Sequence, residues 1–178
     1  MASYLLNVHE NEKVLVHAAA GGVGTALIQL LKLKKAYIIA KTGSDAKIDY
    51  LKEQGADYIV NYKTTDYGKA ISAHLKGGRI DVSFNPVAGS TFKTDWKLIG
   101  SGGRVILFGG SERSGKKWGI LSTLNFVRKM GLIIPIGLMM RSKNVLGVNM
   151  LKVADNQPMV VNRCLKAVLD LAKEKKIP

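Results

Sequence analysis

The stretch VLVHAAAGGVG, residues 14–24, limits the possible folds of this chain more than any other. Apolar residues run into three alanines, a glycine cluster follows, and TALIQLLKLKK then carries the spacing of an amphipathic helix. A strand that turns sharply into a helix through glycines is the opening unit of a parallel α/β sheet. Such a turn serves one of two ends. Its exposed N–H groups and helix dipole hold a phosphate, or its glycines simply let helix and strand pack closely. Consecutive glycines at a helix N-terminus exceed what packing requires, which favours the phosphate.

The rest of the chain repeats the same alternation. Strands are predicted at 13–17, 36–40, 57–61, 79–85 and 103–109, and helices at about 22–34, 45–54, 65–76 and 90–99. Val23, Ala26, Leu27, Leu30 and Leu31 share one helix face, and Gly55 stands where a helix C-terminal glycine belongs. Beyond Gly110 the rhythm changes. The basic loop SERSGKKWG leads to a helix at about 119–130 and then to GLIIPIGLMM, ten residues with a proline, about half of a membrane span and read as buried or partner-facing. A sixth strand is predicted at 144–150, and a last helix near Asn156-Gln157-Pro158, with Asn as N-cap, running to about 175. Right-handed crossovers then give one doubly wound domain with a six-stranded parallel sheet, a Rossmann fold spanning 1–178.

Composition excludes several classes. The chain has 178 residues, 47% apolar and 22% charged, enough for one well-buried core. Its start lacks the pattern of a signal peptide, so a cytoplasmic location is expected. One cysteine, Cys164, rules out an internal disulfide, and its place in the stripe Val161, Cys164, Leu165, Val168, Ala172 predicts core packing. The histidines His9, His17 and His74 are dispersed, so no zinc set is expected. Net charge is +14, with +4 in residues 1–100 and +10 in residues 101–178. The basic residues are scattered and not interleaved with aromatics, so a solvated basic face is favoured over specific nucleic-acid binding.

Laid on the pattern G-x-G-x-x-G, the turn matches the second and third glycines and places Ala19 at the first. A Walker-type loop is excluded because no Gly-Lys-Ser/Thr follows. A dinucleotide site that selects NAD carries an acid about 20 residues on, at the end of the second strand. Here that place reads Ala40-Lys41-Thr42-Gly43-Ser44, with Lys41 and Lys47 near. The missing carboxylate and the ammonium groups favour a 2′-phosphate, hence NADP. Asp45 is read as a helix N-terminal residue, and His17 as a packed or hydrogen-bonded histidine in its strand's alternation.

The segments VLVHAAAGGVGTALIQLLK, TGSDAKIDYLKEQGADYIVNY and GGRVILFGG resemble the cofactor-binding domain of the medium-chain dehydrogenase/reductase superfamily. The similarity is to its zinc-independent quinone oxidoreductase and vesicle amine transport protein branch, and it covers nearly the whole chain. The resemblance implies that Gly21, Gly22, Val23 and Gly24 hold a pyrophosphate. It implies that Ser44 and Lys47 contact the adenosine 2′-phosphate and that Tyr62 lines the adenosine side. Asn85 and the Phe108-Gly109-Gly110 turn would approach the nicotinamide ribose and ring. Read from the residues alone, Tyr62 is a half-buried edge aromatic and Asn85 a turn former ahead of Pro86. The family also carries an N-terminal GroES-like catalytic domain, which this chain is expected to lack.

The expected function is NADPH binding for hydride transfer to a quinone or enone, weak without that second domain. The alternative is a non-catalytic dimerising module, paired through the edge strand near 145–151, which the resemblance also implies. Association with anionic membrane surfaces is compatible with the charge but carries no specific support.

Overall fold

The computed structural model describes residues 7–109, 128, 131 and 133–177. Six strands form one parallel sheet: β1 (Lys13–Val16), β2 (Tyr37–Thr42), β3 (Tyr58–Asn61), β4 (Ile80–Asn85), β5 (Ile99–Leu107) and β6 (Asn144–Gly147), in the order β3-β2-β1-β4-β5-β6. The helices among the described residues are α1 (Gly22–Leu33), α2 (Ile48–Gln54), α3 (Tyr67–His74), α4 (Ser90–Leu98), α5 (Pro135–Arg141), α6 (Met150–Asn156) and α7 (Pro158–Lys173), with a 3-10 turn at Asp45–Lys47.

Period-two alternation sends neighbouring strand residues to opposite faces, and both faces are covered. Val14, Val16, Ile38, Ala40, Val82 and Phe84 pack against Leu27, Ile28 and Leu31 of α1 and Leu51 of α2. Leu15, Ile39, Val60, Ile80 and Val105 pack against Ile71 of α3 and Phe92 and Leu98 of α4. Strand order reverses between β1 and β4, so the crevice at their carboxyl ends is the natural ligand position of such a sheet. Local stops are physical. Gly55 ends α2 in the left-handed region (φ 104°), and Asp66 caps α3 by accepting from the Gly68 and Lys69 N–H groups.

Several expectations are corrected beyond Gly110. The loop SERSGKKWG and nearly all of the helix at 119–130 lie outside the described residues. The sixth strand ends at Gly147 rather than 150, because the Asn149 side chain accepts from the Lys152 N–H and starts α6. Asn156 closes α6 by donating to the Lys152 carbonyl, so Gln157, not Asn156, precedes α7. Within GLIIPIGLMM, Ile133 packs against the core face covered by α3 and α4, and Pro135–Arg141 forms α5 with Ile136, Met139 and Met140 exposed rather than buried. Cys164 is half-buried and α7 has no fully buried residue; its Ala167 and Leu171 border a cavity that Leu30 and Leu31 of α1 also line. No helix among the described residues is long and apolar enough to cross a membrane.

Candidate functional site

The glycine turn is anchored at the switch point. The His17 N–H donates to the Phe84 carbonyl at 3.1 Å and the Ala19 N–H to the Lys41 carbonyl at 3.1 Å, tying the turn to β4 and β2. Gly24 is buried, and a Cβ there would lie 2.4 Å from the Ala18 oxygen and 2.6 Å from the Ala19 oxygen. That position is a close approach of helix to strand. Gly22 differs: it is exposed, and an added Cβ meets nothing within 4 Å. Gly21 and Val23 are also exposed, and α1 begins with neither a side-chain cap nor an acid in its first turn. Its first N–H groups are therefore unclaimed by side chains, and the dipole favours an anion in front of them.

At the end of β2, Ser44 and Lys47 are exposed beside the 3-10 turn, and Lys47 has no ion-pair partner among the described residues. The Asp45 carboxylate accepts from the Asn61 amide at 2.8 Å. The Tyr62 phenol packs on Gly43, 2.7 Å from where a Cβ would stand, with half of its side exposed. Gly21, Gly22, Val23, Ser44, Lys47 and Tyr62 thus share one rim of the sheet.

Lys41 does not join them. It is 5% exposed, so it cannot meet a ligand at the solvent-facing position of Lys47. The reason lies in strand parity: Lys41 is in phase with Ile39 and points into the face covered by α3 and α4.

Asn85 is fully buried, and its amide group is committed. Its oxygen accepts from the Val87 and Ala88 N–H groups and its nitrogen donates to Thr91 and Asp95, so it shapes the turn ahead of Pro86. Phe108 and Gly109 follow β5 at the same edge of the sheet, Gly109 standing close against the Pro86 carbonyl. Gly110 lies outside the described residues.

Sequence reasoning missed a buried polar network behind this rim. The Asp95 carboxylate, 0% exposed, accepts from Ser83 Oγ (2.7 Å), Asn85 Nδ2 (2.6 Å), Tyr67 Oη (2.9 Å) and His17 Nε2 (2.9 Å). Across the imidazole, Lys41 Nζ lies 3.3 Å from His17 Nδ1. An ammonium only donates, so Nδ1 accepts and the Nε2 hydrogen goes to Asp95. Burial alone would raise the Asp95 carboxyl, but its contacts with His17, Ser83 and Tyr67 hold it below the ordinary aspartate value. Burial pushes the Lys41 ammonium down to about 8, against the pull of Asp95. A signal for the network was present: Asp95 falls midway between Phe92 and Leu98 at helical spacing, an acid on the core-facing side of α4.

The network opens on a cavity of about 370 Å³ bordered by Ala18 of the glycine turn, Lys41, Tyr62, Tyr67 and Val87. Among the described residues no three His, Cys, Asp or Glu side chains gather as metal ligands.

Residues 22–166 match the family described as zinc-binding dehydrogenase. The chain belongs to that family. It is a nucleotide-binding domain of the medium-chain dehydrogenase/reductase superfamily. Over 172 residues it is 26% identical to the synaptic vesicle membrane protein VAT-1 homolog of Danio rerio, covering 96% of this chain and 35% of that protein. The chain thus spans about a third of that relative's length. Among solved structures it is similar to the nucleotide-binding subdomain of the enoylreductase domain of PpsC from Mycobacterium tuberculosis, at 25% identity and a TM-score of 0.76, covering 97% of this chain and 88% of that one. It is also similar in fold to the quinone oxidoreductase of Thermus thermophilus, solved with NADPH, at 23% identity and a TM-score of 0.67, covering 93% of this chain and 47% of that one.

Proposed function

We propose that this dehydrogenase domain binds NADPH and presents it for hydride transfer to a quinone or an enone. The observation that carries the reading is the uncapped, acid-free N-terminus of α1 behind the open Gly22, with the exposed Lys47 on the same rim. The residues fit the cofactor in charge and in space. The N–H groups of the turn take the pyrophosphate, where Gly22 leaves room for close approach. Ser44 and Lys47 take the 2′-phosphate, since the nearby Asp45 carboxylate is held by Asn61. Tyr62 flanks the adenosine, and the backbone after β4 and β5, at Phe108 and Gly109, borders the nicotinamide end. When bound, the nicotinamide supplies the hydride; this chain's residues bind and orient it. The enoylreductase and quinone oxidoreductase relatives support this reaction class. Turnover by these residues alone is weak, because a site open to solvent neither excludes water nor positions a substrate.

The test is a binding titration of the chain with NADPH and with NADH, repeated on Lys47→Glu. NADPH is expected to bind more tightly than NADH, and Lys47→Glu to lower the NADPH affinity about tenfold or more while sparing NADH. Equal affinities for the two cofactors sink the 2′-phosphate assignment. A second reading, a non-catalytic dimerising module, has its own support. The edge strand β6 is followed by the exposed Met150 and Leu151, and an unpaired edge invites a partner strand. That reading gains if neither cofactor binds while the chain sediments as a dimer, and it fails if the chain is monomeric.

A further inference from the structure

We propose that the face built by α4 and α5 docks on an anionic lipid bilayer. The apolar tip of α5 enters the interface, and lysines and arginines along α4 meet the acidic headgroups. None of these residues belongs to the nucleotide rim, so the inference goes beyond the function above and does not depend on it.

The apolar half rests on α5 and the residue before it. Ile134 and Ile136 are each 55% exposed, Met139 70% and Met140 78%. Exposed apolar side chains standing singly are ordinary, but four in so short a stretch form a patch, and such patches mark contact surfaces. The segment that carries them is anchored at both ends. Ile133 packs with Phe92 and Leu98 on the core face covered by α3 and α4. Ser142 closes α5 in the left-handed region, and the Lys143 ammonium then donates to the Trp96 carbonyl at 2.8 Å. A fixed element therefore presents the patch to solvent.

The charge lies beside that patch. Lys93, Lys97 and Arg141 line a cavity of about 310 Å³ between α4 and α5, together with Trp96, Ile134 and Leu138. Lys69, Arg79 and again Lys97 line a second cavity between α3 and α4. Among the described residues lining the two, Asp66 is the one acid, and it is held by the Gly68 and Lys69 N–H groups at the start of α3. None of these five cations forms an ion pair among the described residues. Lys143 feels the excess. Burial first, then repulsion by Arg79 and Arg141, holds its ammonium below the ordinary lysine value.

That combination selects the partner. Aliphatic and methionine side chains gain by entering the acyl boundary of a bilayer, and each lysine or arginine at the surface adds attraction to anionic headgroups. A second copy of this chain fits poorly, because two-fold pairing of one face with itself sets its cations against each other. A nucleic acid leaves Ile136, Met139 and Met140 in water. It also finds no open ring for stacking here, since Phe92 is buried and Trp96 is half-buried with the Lys143 ammonium 5.1 Å from its centre.

The probe is cosedimentation with vesicles of phosphatidylcholine alone and of phosphatidylcholine mixed with phosphatidylserine, at about 0.1 M salt. The wild-type chain is expected to bind the anionic vesicles about tenfold or more above the neutral ones. Lys93→Glu/Lys97→Glu is expected to lower that affinity about tenfold or more, and Met139→Ser/Met140→Ser, which leaves the charge unchanged, about threefold or more. Lys32→Glu/Lys34→Glu makes the same charge change at the end of α1, on the opposite face of the sheet, and is expected to have a smaller effect. All six positions are exposed, and thermal melting verifies that each variant is folded. The proposal is overturned if the wild-type chain binds both vesicles alike, if the α1 pair weakens binding as much as the α4 pair, or if the serine pair changes nothing. A serine pair that turns a dimeric chain monomeric with vesicle binding intact assigns the face to a second copy and equally overturns it. Tighter binding of a mixed-sequence oligonucleotide, lost in the α4 pair and kept in the serine pair, assigns the face to a nucleic acid with the same consequence.

Discussion

Replacing Asp95 with alanine is expected to cost about 3–5 kcal/mol of folding stability, the range for losing one partner of a buried charged pair. The carboxylate is fully enclosed and accepts from Ser83, Asn85, Tyr67 and His17 at once. Alanine takes away the acceptor of Ser83 Oγ and His17 Nε2 and leaves Asn85 and Tyr67 with Thr91 alone, and each unmet buried group adds its own desolvation penalty. Against a typical total of about 5–15 kcal/mol, the loss is a large share of the fold. Chemical denaturation of wild type and variant measures it; a difference below about 1 kcal/mol would show that the network contributes little. The pH dependence has a definite sign. The folded carboxyl sits below its ordinary value, so its contribution is full above about pH 4 and fades as pH falls through the lowered folded value. The deficit of Asp95→Asn should therefore shrink in acid.

Gly24→Ala is the second large effect. The new Cβ would stand 2.4, 2.6 and 2.7 Å from the Ala18 oxygen, the Ala19 oxygen and the Ala19 Cα. All three are backbone atoms, so no rotamer change relieves the contact, and α1 must move away from the end of β1. The expected cost is about 1–3 kcal/mol, the scale of overpacking in a tight core. Because the same movement shifts the N–H groups of the turn, nucleotide affinity is expected to fall about tenfold or more. A variant with wild-type melting and wild-type NADPH affinity would contradict both halves of this argument.

Much of this molecule is legible in its sequence because the determinants are local. Two apolar periods, 2 and 3.6, place β1 to β5 and α1 to α4 within a few residues, and Gly55 and the Gly21–Gly24 cluster punctuate them. The chain beyond β5 is harder for equally local reasons. Asn149 acts as a cap inside what reads as a continuing apolar strand, and the stripe of α7 looks like core although its described surroundings leave it largely uncovered. Among the site residues, those on the turn and the rim are readable, since their roles depend on backbone and exposure. Lys41 shows the opposite case. Its place at the end of β2 suggests a phosphate ligand, but strand parity turns it inward, and only the pairing of β2 with β1 brings it to His17. The Asp95 network joins four segments distant in sequence, which no single periodic pattern announces.

The central claim is that the open glycine turn receives the pyrophosphate of a nicotinamide dinucleotide. It is tested most directly by titrating NADPH into Gly22→Asp beside the wild-type chain. An added Cβ at Gly22 meets nothing, and an acid in the first turn of α1 stabilises the helix by about 0.3–1 kcal/mol. The fold should therefore be kept or slightly strengthened, while a carboxylate in front of the N–H groups repels the pyrophosphate. The account predicts wild-type or higher melting with NADPH affinity reduced about a hundredfold. Undiminished NADPH binding by a well-folded Gly22→Asp would contradict it.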